Sequence, residues 1–145
     1  MADDHPQLTF NERNIAEFRR RGGTLGGRFE GAPVLLLTTT GAKSGLDRTS
    51  PMMYLPEGQR VFVFASNAGS DSHPNWYHNL RADPTATVEL GTETFTATAT
   101  EITGAERDRL YAIQAQRYPG FAEYQAGTER LIPVIELVRT PDAAG

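Results

Sequence analysis

Two cations stand close together in the stretch Leu35–Tyr54. Lys43 lies in the turn Gly41-Ala42-Lys43-Ser44-Gly45, between the apolar run Leu35-Leu36-Leu37 and the segment Arg48-Thr49-Ser50-Pro51. Read as strand, glycine-flanked turn and returning strand, this brings Lys43, Arg48, several hydroxyls and free backbone N–H groups to one sheet end. Such a set suits a phosphate or a carboxylate. A solvated hairpin tip has the same composition. A second stretch, Ser66-Asn67-Ala68-Gly69-Ser70-Asp71-Ser72-His73, follows the apolar run Val61–Ala65 and precedes a helix start at Pro74. Proline fits the first helical turn, and small-residue loops at helix N-termini present unpaired N–H groups to anions. The sole tryptophan, Trp76, lies beside it, either as an ordinary core residue or as a wall for a planar ring. Tyr118, Phe121 and Tyr124 share a spacing of three, which puts them on one helix face. That face is either core or the mouth of a site for a flat, partly polar substrate.

Other chemistries lack their residues. The chain has no cysteine, so thiol catalysis, thiolate ligation and disulfides are absent. Its histidines, His5, His73 and His78, do not pair at metal-ligand spacing, and no metal is expected. A net charge of −4 gives no basic footprint for nucleic acid. Dinucleotide, P-loop and nucleophile-elbow signatures are missing, as are paired carboxylates or an activated nucleophile.

The elements that must position these groups follow from periodicity. The 145 residues fit one domain, 1–145, with a loosely ordered segment 1–10 and a tail 141–145. Asn11 is placed to cap a helix through Arg21, with Ile15 and Phe18 on one face, ended by Gly22-Gly23. Arg19, Arg20 and Arg21 suit the helix C-terminus. Together with Leu8, Phe10, Ile15 and Phe18 they also offer a peripheral contact to a bilayer surface. Strands are expected at Pro33–Thr40, Thr49–Leu55, Arg60–Ser66, Thr85–Leu90, Glu93–Glu101 and Val134–Val138, with a tight turn at Pro56-Glu57-Gly58. Phe95, Ala97 and Ala99 alternate with Thr94, Thr96, Thr98 and Thr100, a half-buried pattern of period two. Helices are expected at Pro74–Ala82, from a capping box Thr103-Gly104-Ala105-Glu106 to Arg117, and at Gly120–Thr128. Six short strands, mostly joined as hairpins, with helices between them favour an α+β fold built on a barrel-like sheet. No apolar run reaches membrane-spanning length and Met1–Asp4 shows no signal pattern, so a cytoplasmic protein is expected, with peripheral attachment at the inner membrane face as the variant of that reading.

Read in order, these pieces resemble the deazaflavin-dependent nitroreductases, also called quinone reductases, of actinobacteria. The resemblance covers about Phe29 to Val138. It rests on Leu37–Gly45, on Arg48–Tyr54, on Ala65–Gly69 with Pro74–Leu80, on Tyr118–Gln125 and on Ile132-Pro133-Val134. It implies a split β-barrel of the flavin-reductase and pyridoxamine-phosphate-oxidase kind, of about six antiparallel strands with flanking helices. It also implies coenzyme F-420, an 8-hydroxy-5-deazaflavin with a phosphodiester and a polyglutamate tail. By that resemblance Lys43 and Arg48 hold the phosphate and the acidic tail. Ser66, Asn67, Ala68, Gly69, Ser70 and Asp71 edge the ring and phosphate. Thr49, Pro51, Phe64, Ala65, Pro74, Trp76 and Asn79 complete the cofactor pocket. Ser66, Tyr118 and Tyr124 are the catalytic set, and Tyr118, Phe121 and Tyr124 contact the substrate. Two positions depart from the pattern. Ala42 stands where many relatives carry a basic residue, and Phe121 where many carry tyrosine.

The expected activity is hydride transfer from reduced F-420 to a quinone, enone or nitroaromatic acceptor. The cofactor carries the hard chemistry and the protein supplies position and hydrogen bonds. Two alternatives use the same barrel: an FMN-dependent reductase, and a non-catalytic F-420 carrier. A small molecule is the expected partner, and oligomeric state is left open.

Overall fold

Strand β1 (Val34–Thr40) is buried on both faces at Val34, Leu35, Leu36 and Leu37, because it is covered on both sides. Leu35 and Leu37 point into a barrel core with Val63, Val88, Ala97 and Leu137, while Val34 and Leu36 pack outward against Phe18 and Leu25. Neighbouring residues of a strand face opposite sides, so a doubly covered strand must be apolar throughout. A computed structural model describes residues 9–141, and within them the remaining strands are β2 (Asp47–Glu57), β3 (Arg60–Phe64), β4 (Thr85–Leu90), β5 (Glu93–Ile102) and β6 (Val134–Arg139). All pairings are antiparallel and the sheet closes in the order β1-β2-β3-β6-β5-β4. The α+β barrel of six strands expected from the sequence is the fold found.

Among the described residues four α-helices flank the barrel: α1 (Phe10–Arg20), α2 (Asn75–Ala82), α3 (Gly104–Arg117) and α4 (Gly120–Ala126). Tyr77 and Leu80 of α2 join the barrel core. A second apolar layer lies outside the sheet, where Leu110 and Tyr111 of α3 and Phe121 of α4 meet Leu55, Phe62, Phe64 and Val134. In β3 the sides therefore divide by parity, Val63 inward and Phe62 and Phe64 outward. In β5 the expected alternation holds, with Ala97 buried and the even-numbered threonines exposed.

Several boundaries differ from the sequence expectation, each for a local reason. Thr9, not Asn11, caps α1: Glu12 N–H donates to Thr9 Oγ1 at 3.0 Å and Thr9 N–H to Glu12 Oε1 at 2.8 Å. This reciprocal pair satisfies two donors at once. The same pattern at Thr103 does not form a capping box. Thr103 precedes the helix without a side-chain cap, and the Glu106 carboxylate is taken by Arg109 at 2.7 Å. Pro74 is the residue before α2 rather than its first turn. The β2–β3 turn is Gly58-Gln59, with Gly58 at φ 62, so Pro56 and Glu57 stay in the strand. The last helix stops at Ala126 rather than Thr128.

Of the residues considered for a bilayer surface, four are engaged within the fold and Phe10 is exposed. Phe18 and Ile15 pack against the barrel, Arg19 pairs with Glu89 at 2.8 Å and Arg21 with Glu17 at 2.8 Å. Leu8 and His5, like most of the expected end segments 1–10 and 141–145, lie outside the described residues. Among the described residues no helix is long and apolar enough to cross a membrane.

Candidate active site

The loop after β3 has an unusual backbone. Asn67, Ala68 and Gly69 have φ of 49, 54 and 81, three successive left-handed residues of which only the last is glycine. Non-glycine residues in this region are costly and persist where the surroundings hold them. The holder is Arg130, which lies just before β6. Its Nε donates to Ser70 O at 2.8 Å, Nη1 to Ala65 O at 3.1 Å and Nη2 to Ser66 O at 2.7 Å. Thr128 Oγ1 donates to Asp71 Oδ1 at 2.8 Å, and Gly69 lies so near α4 that a Cβ on it would sit 3.1 Å from Tyr124 Cα. One guanidinium and one helix thus fix the loop.

This loop borders a cavity of about 790 Å³. Its walls are Ser50, Pro51, Met52 and Met53 of β2, Phe64 of β3, Ser66, Asn67, Ala68, Ser72 and His73 of the loop, Pro74, Asn75 and Trp76 at the start of α2, and Tyr118, Gly120, Phe121 and Tyr124; Asn11 and Phe29 close one side. The aromatic wall is built edge to face. Phe121 lies 5.6 Å from Phe64 and 5.4 Å from Tyr124, a geometry that ring quadrupoles favour. Behind it, Tyr111 donates its hydroxyl to Phe121 O at 2.7 Å, and burial pushes its phenol pKa up to about 12. By contrast, the hydroxyls of Ser66, Tyr118 and Tyr124 have no protein hydrogen-bond partner among the described residues, although all three residues line the cavity. Each of these hydroxyls is able to donate a hydrogen bond.

Lys43 and Arg48 stand at the adjacent barrel end. Arg48 is opposite Thr39 and Thr49 opposite Thr38, whose hydroxyl lies 2.7 Å from that of Thr49. Asn79 ties this end to α2: its Oδ1 accepts Ala42 N–H at 2.9 Å and its Nδ2 donates to Thr39 Oγ1 at 3.0 Å. Both cations are exposed and, among the described residues, neither makes an ion pair. Arg19, Arg60, Arg109 and Arg139, in contrast, are paired with carboxylates. Two tracks link the cavity to this end. Arg48 is two residues from the cavity-lining Ser50, roughly 7 Å along a strand. Asn79 is one helical turn from the cavity-lining Trp76, roughly 4.5 Å along the axis.

Of the residues named from sequence, the structure brings Pro51, Phe64, Ser66, Asn67, Ala68, Pro74, Trp76, Tyr118, Phe121 and Tyr124 to one cavity. Lys43, Arg48, Thr49 and Asn79 gather at the barrel end and do not line it. Ala65 is fully buried in the barrel core, and Gly69, Ser70 and Asp71 face Arg130, Tyr124 and Thr128 rather than the cavity. Sequence reasoning missed Ser50, Met52, Met53 and His73 as wall residues, and Arg130 as the loop's holder. The first three flank Pro51, so the strand itself was the signal. Arg130 is separated from Ala65 by 65 positions, and no local pattern announces it.

A closed antiparallel barrel with an aromatic-walled cavity, beside two cations that make no ion pair among the described residues, has the form of a small-molecule-binding barrel. The chain belongs to the F420H(2)-dependent quinone reductase family, whose sequence model matches residues 11–140. It is 39% identical over 131 residues to an F420H(2)-dependent quinone reductase of Mycobacterium tuberculosis, covering 86% of each chain. It is also similar to a solved F420-H2 dependent reductase, with 42% identity and a TM-score of 0.66 over 72% of this chain and 93% of that chain. A Listeria innocua protein assigned as a pyridoxamine 5'-phosphate oxidase shares the fold alone, at 14% identity and TM-score 0.53 over 76% of this chain and 86% of that chain.

The residues fit coenzyme F-420. The cavity has room for a fused ring system beside aromatic walls, and among the described residues three of its hydroxyls lack protein partners.

Proposed function

We propose that this protein reduces quinones with coenzyme F-420, using the cavity for the ring and the acceptor and the barrel end for the tail. Reduced F-420, when bound, supplies the hydride. Lys43 and Arg48 attract the phosphodiester and glutamates, through charge-assisted contacts that their freedom from ion pairs leaves available. Trp76, Pro51 and Phe64 wall the ring, while the loop Ser66–Ala68, held by Arg130, edges it. Tyr118, Phe121 and Tyr124 position a flat acceptor. Negative charge grows on a quinone oxygen as hydride arrives at the ring, and Oη–H of Tyr118 and Tyr124 with Oγ–H of Ser66 are the donors that stabilise it. A proton enters at that oxygen, either from Tyr124 Oη–H, which solvent then reprotonates, or from solvent directly. The ring carbon that took the hydride then releases a proton to solvent and the other oxygen takes one up, completing the quinol for a net gain of one hydride and one proton. Enones and nitroaromatics are acceptors of the same electronic kind. Phe121 keeps the ring contact and offers no hydroxyl.

The observation that carries this reading is the trio of partnerless hydroxyls, Ser66, Tyr118 and Tyr124, on the wall of one cavity. The test is fluorescence titration with F-420 and with FMN, followed by turnover of menadione with reduced F-420. Preference for F-420 with quinol formation supports it. Preference for FMN, or F-420 binding without turnover, points instead to the flavin enzyme or to the carrier.

A further inference from the structure

His73 borders the cavity and has no part in the roles assigned above. Its Nδ1 lies 3.0 Å from Arg130 Nη1. A guanidinium offers donors only and keeps its proton, so Nδ1 must be the acceptor. The imidazole is then neutral with its proton on Nε2. Among the described residues Nε2 has no protein partner. The ring cannot easily turn away, since it packs against Tyr77 at 4.5 Å and meets His78 edge-on at 5.7 Å. Arg130 is itself immobilised by the carbonyls of Ala65, Ser66 and Ser70. The guanidinium that fixes the loop therefore also fixes which nitrogen of His73 carries the proton.

We propose that His73 is a neutral hydrogen-bond donor, through Nε2–H, to an acceptor oxygen of the ligand in the cavity, and that Arg130 is the positioning residue that sets this tautomer. The inference rests on the reading of the cavity as the F-420 and quinone site. The recognised chemistry is a carbonyl oxygen, which either the cofactor ring or the quinone can present. Burial and the neighbouring positive charge of Arg130 lower the imidazole pKa, which keeps the ring uncharged near neutrality. His78 and Arg81 act in the same direction and Glu101 opposes them. A neutral donor with one available proton sits in a single orientation, whereas an imidazolium would break the contact with Arg130.

Nitrogen-15 NMR of histidine-labelled protein without ligand reads the tautomer directly. His73 should show protonated Nε2 and bare Nδ1, and Arg130→Lys, which lacks the fork, should mix the tautomers. Ligand contact is read in two arms, F-420 affinity by fluorescence and the menadione KM at saturating reduced F-420. His73→Leu should weaken one of them by about three- to tenfold, the worth of one hydrogen bond. Loss in the first arm assigns the oxygen to the cofactor, loss in the second to the quinone. His73→Gln, which can place an N–H near the Nε2 position, should recover most of the loss. A protonated Nδ1 in the wild type, or a Leu variant unchanged in both arms while the wild type binds and turns over, overturns the inference alone. A wild type that binds no F-420 overturns the functional reading and this inference with it.

Discussion

The side chain of Asn79 accepts the backbone N–H of Ala42 at 2.9 Å, so the turn that carries Lys43 is fastened to the helix that carries Trp76. The same amide donates to Thr39 Oγ1 at 3.0 Å and is buried. Asn79 thus acts at one remove: it ties the turn of Lys43 to the helix of Trp76. Replacing it with Ala leaves a buried hydroxyl and the Ala42 N–H without partners, which costs about 1–3 kcal/mol. Asn79→Ala should lower the urea midpoint and weaken F-420 binding, and Asn79→Asp, which keeps only the acceptor, should fall between. Unchanged stability in both variants would remove Asn79 from this role.

Lys43 contributes differently, because it is exposed and unpaired among the described residues. An exposed charge contributes modestly, so Lys43→Ala should weaken F-420 binding by about three- to tenfold. The loss should shrink as salt rises, since the contact is screened. FMN, which has no acidic tail, should be little affected. Titration of both ligands at low and high ionic strength decides this, and equal losses for the two would place Lys43 away from the tail.

Much of this was legible along the chain and some of it was not, for reasons of range. The strands declared themselves through period two, as Phe95, Ala97 and Ala99 show against the intervening threonines, and Thr85–Leu90 needed no adjustment. Which strands meet to close the barrel did not show in the same way, because β1 meets β4 and β3 meets β6 only after long excursions of chain. The cap of α1 was misplaced because Thr9 and Asn11 are both good caps, and only the reciprocal bond to Glu12 separates them. The site followed the same rule. Ser66, Trp76 and Tyr124 sit in segments with local signatures, while Arg130 reaches Ala65, Ser66, Ser70 and His73 across distances no pattern spans.

Two tyrosines of the aromatic layer should answer oppositely to the loss of a hydroxyl. Tyr124 has a hydroxyl on the cavity wall with no partner among the described residues, and its ring packing against Phe121 survives in Tyr124→Phe. That variant should keep its stability within about 0.5 kcal/mol and its F-420 affinity, yet lose about tenfold or more in kcat for menadione. Tyr111 donates instead to the buried Phe121 carbonyl. Tyr111→Phe should cost about 1–3 kcal/mol of stability with a smaller effect on kcat. Steady-state kinetics beside urea unfolding separates the two, and a Tyr124→Phe enzyme with full kcat would make Tyr124 a packing residue.

Gly69 is the tightest point of the loop. At φ 81, with the place of its missing Cβ only 3.1 Å from Tyr124 Cα, it resists any side chain on both counts. Gly69→Ala should therefore destabilise by about 1–3 kcal/mol and move the loop relative to Tyr124, so that F-420 binding and quinone turnover fall together. A thermal melt and a cofactor titration identical to wild type would show that the loop relaxes without consequence.

The last expectation is a pH dependence centred on His73. Burial, Arg130 and His78 hold its pKa below the ordinary 6.5, with Arg81 acting with them and Glu101 against. In the unfolded chain the same ring titrates near about 6.5. Below that pH the unfolded state therefore binds more protons than the native state, and stability falls as pH falls. Above it both states are neutral at this ring and the contribution is whole. Glu17, Glu57 and Glu93 have pKa values lowered from 4.5 by hydrogen bonds, at Glu17 chiefly from Gly26 N–H and at the others from arginines, so their stabilisation is lost only in a more acidic window. The two effects are separable. Urea midpoints taken from about pH 7.5 to about pH 5 should fall for wild type and fall less for His73→Gln, because only the former carries the titrating ring. F-420 affinity should decline in wild type only at lower pH, where the folded ring itself takes a proton, since protonation at Nδ1 ends the bond from Arg130 that holds His73 against the loop. Parallel curves for the two proteins would show that His73 titrates alike in the folded and unfolded chain, and that its contact with Arg130 does not govern its charge.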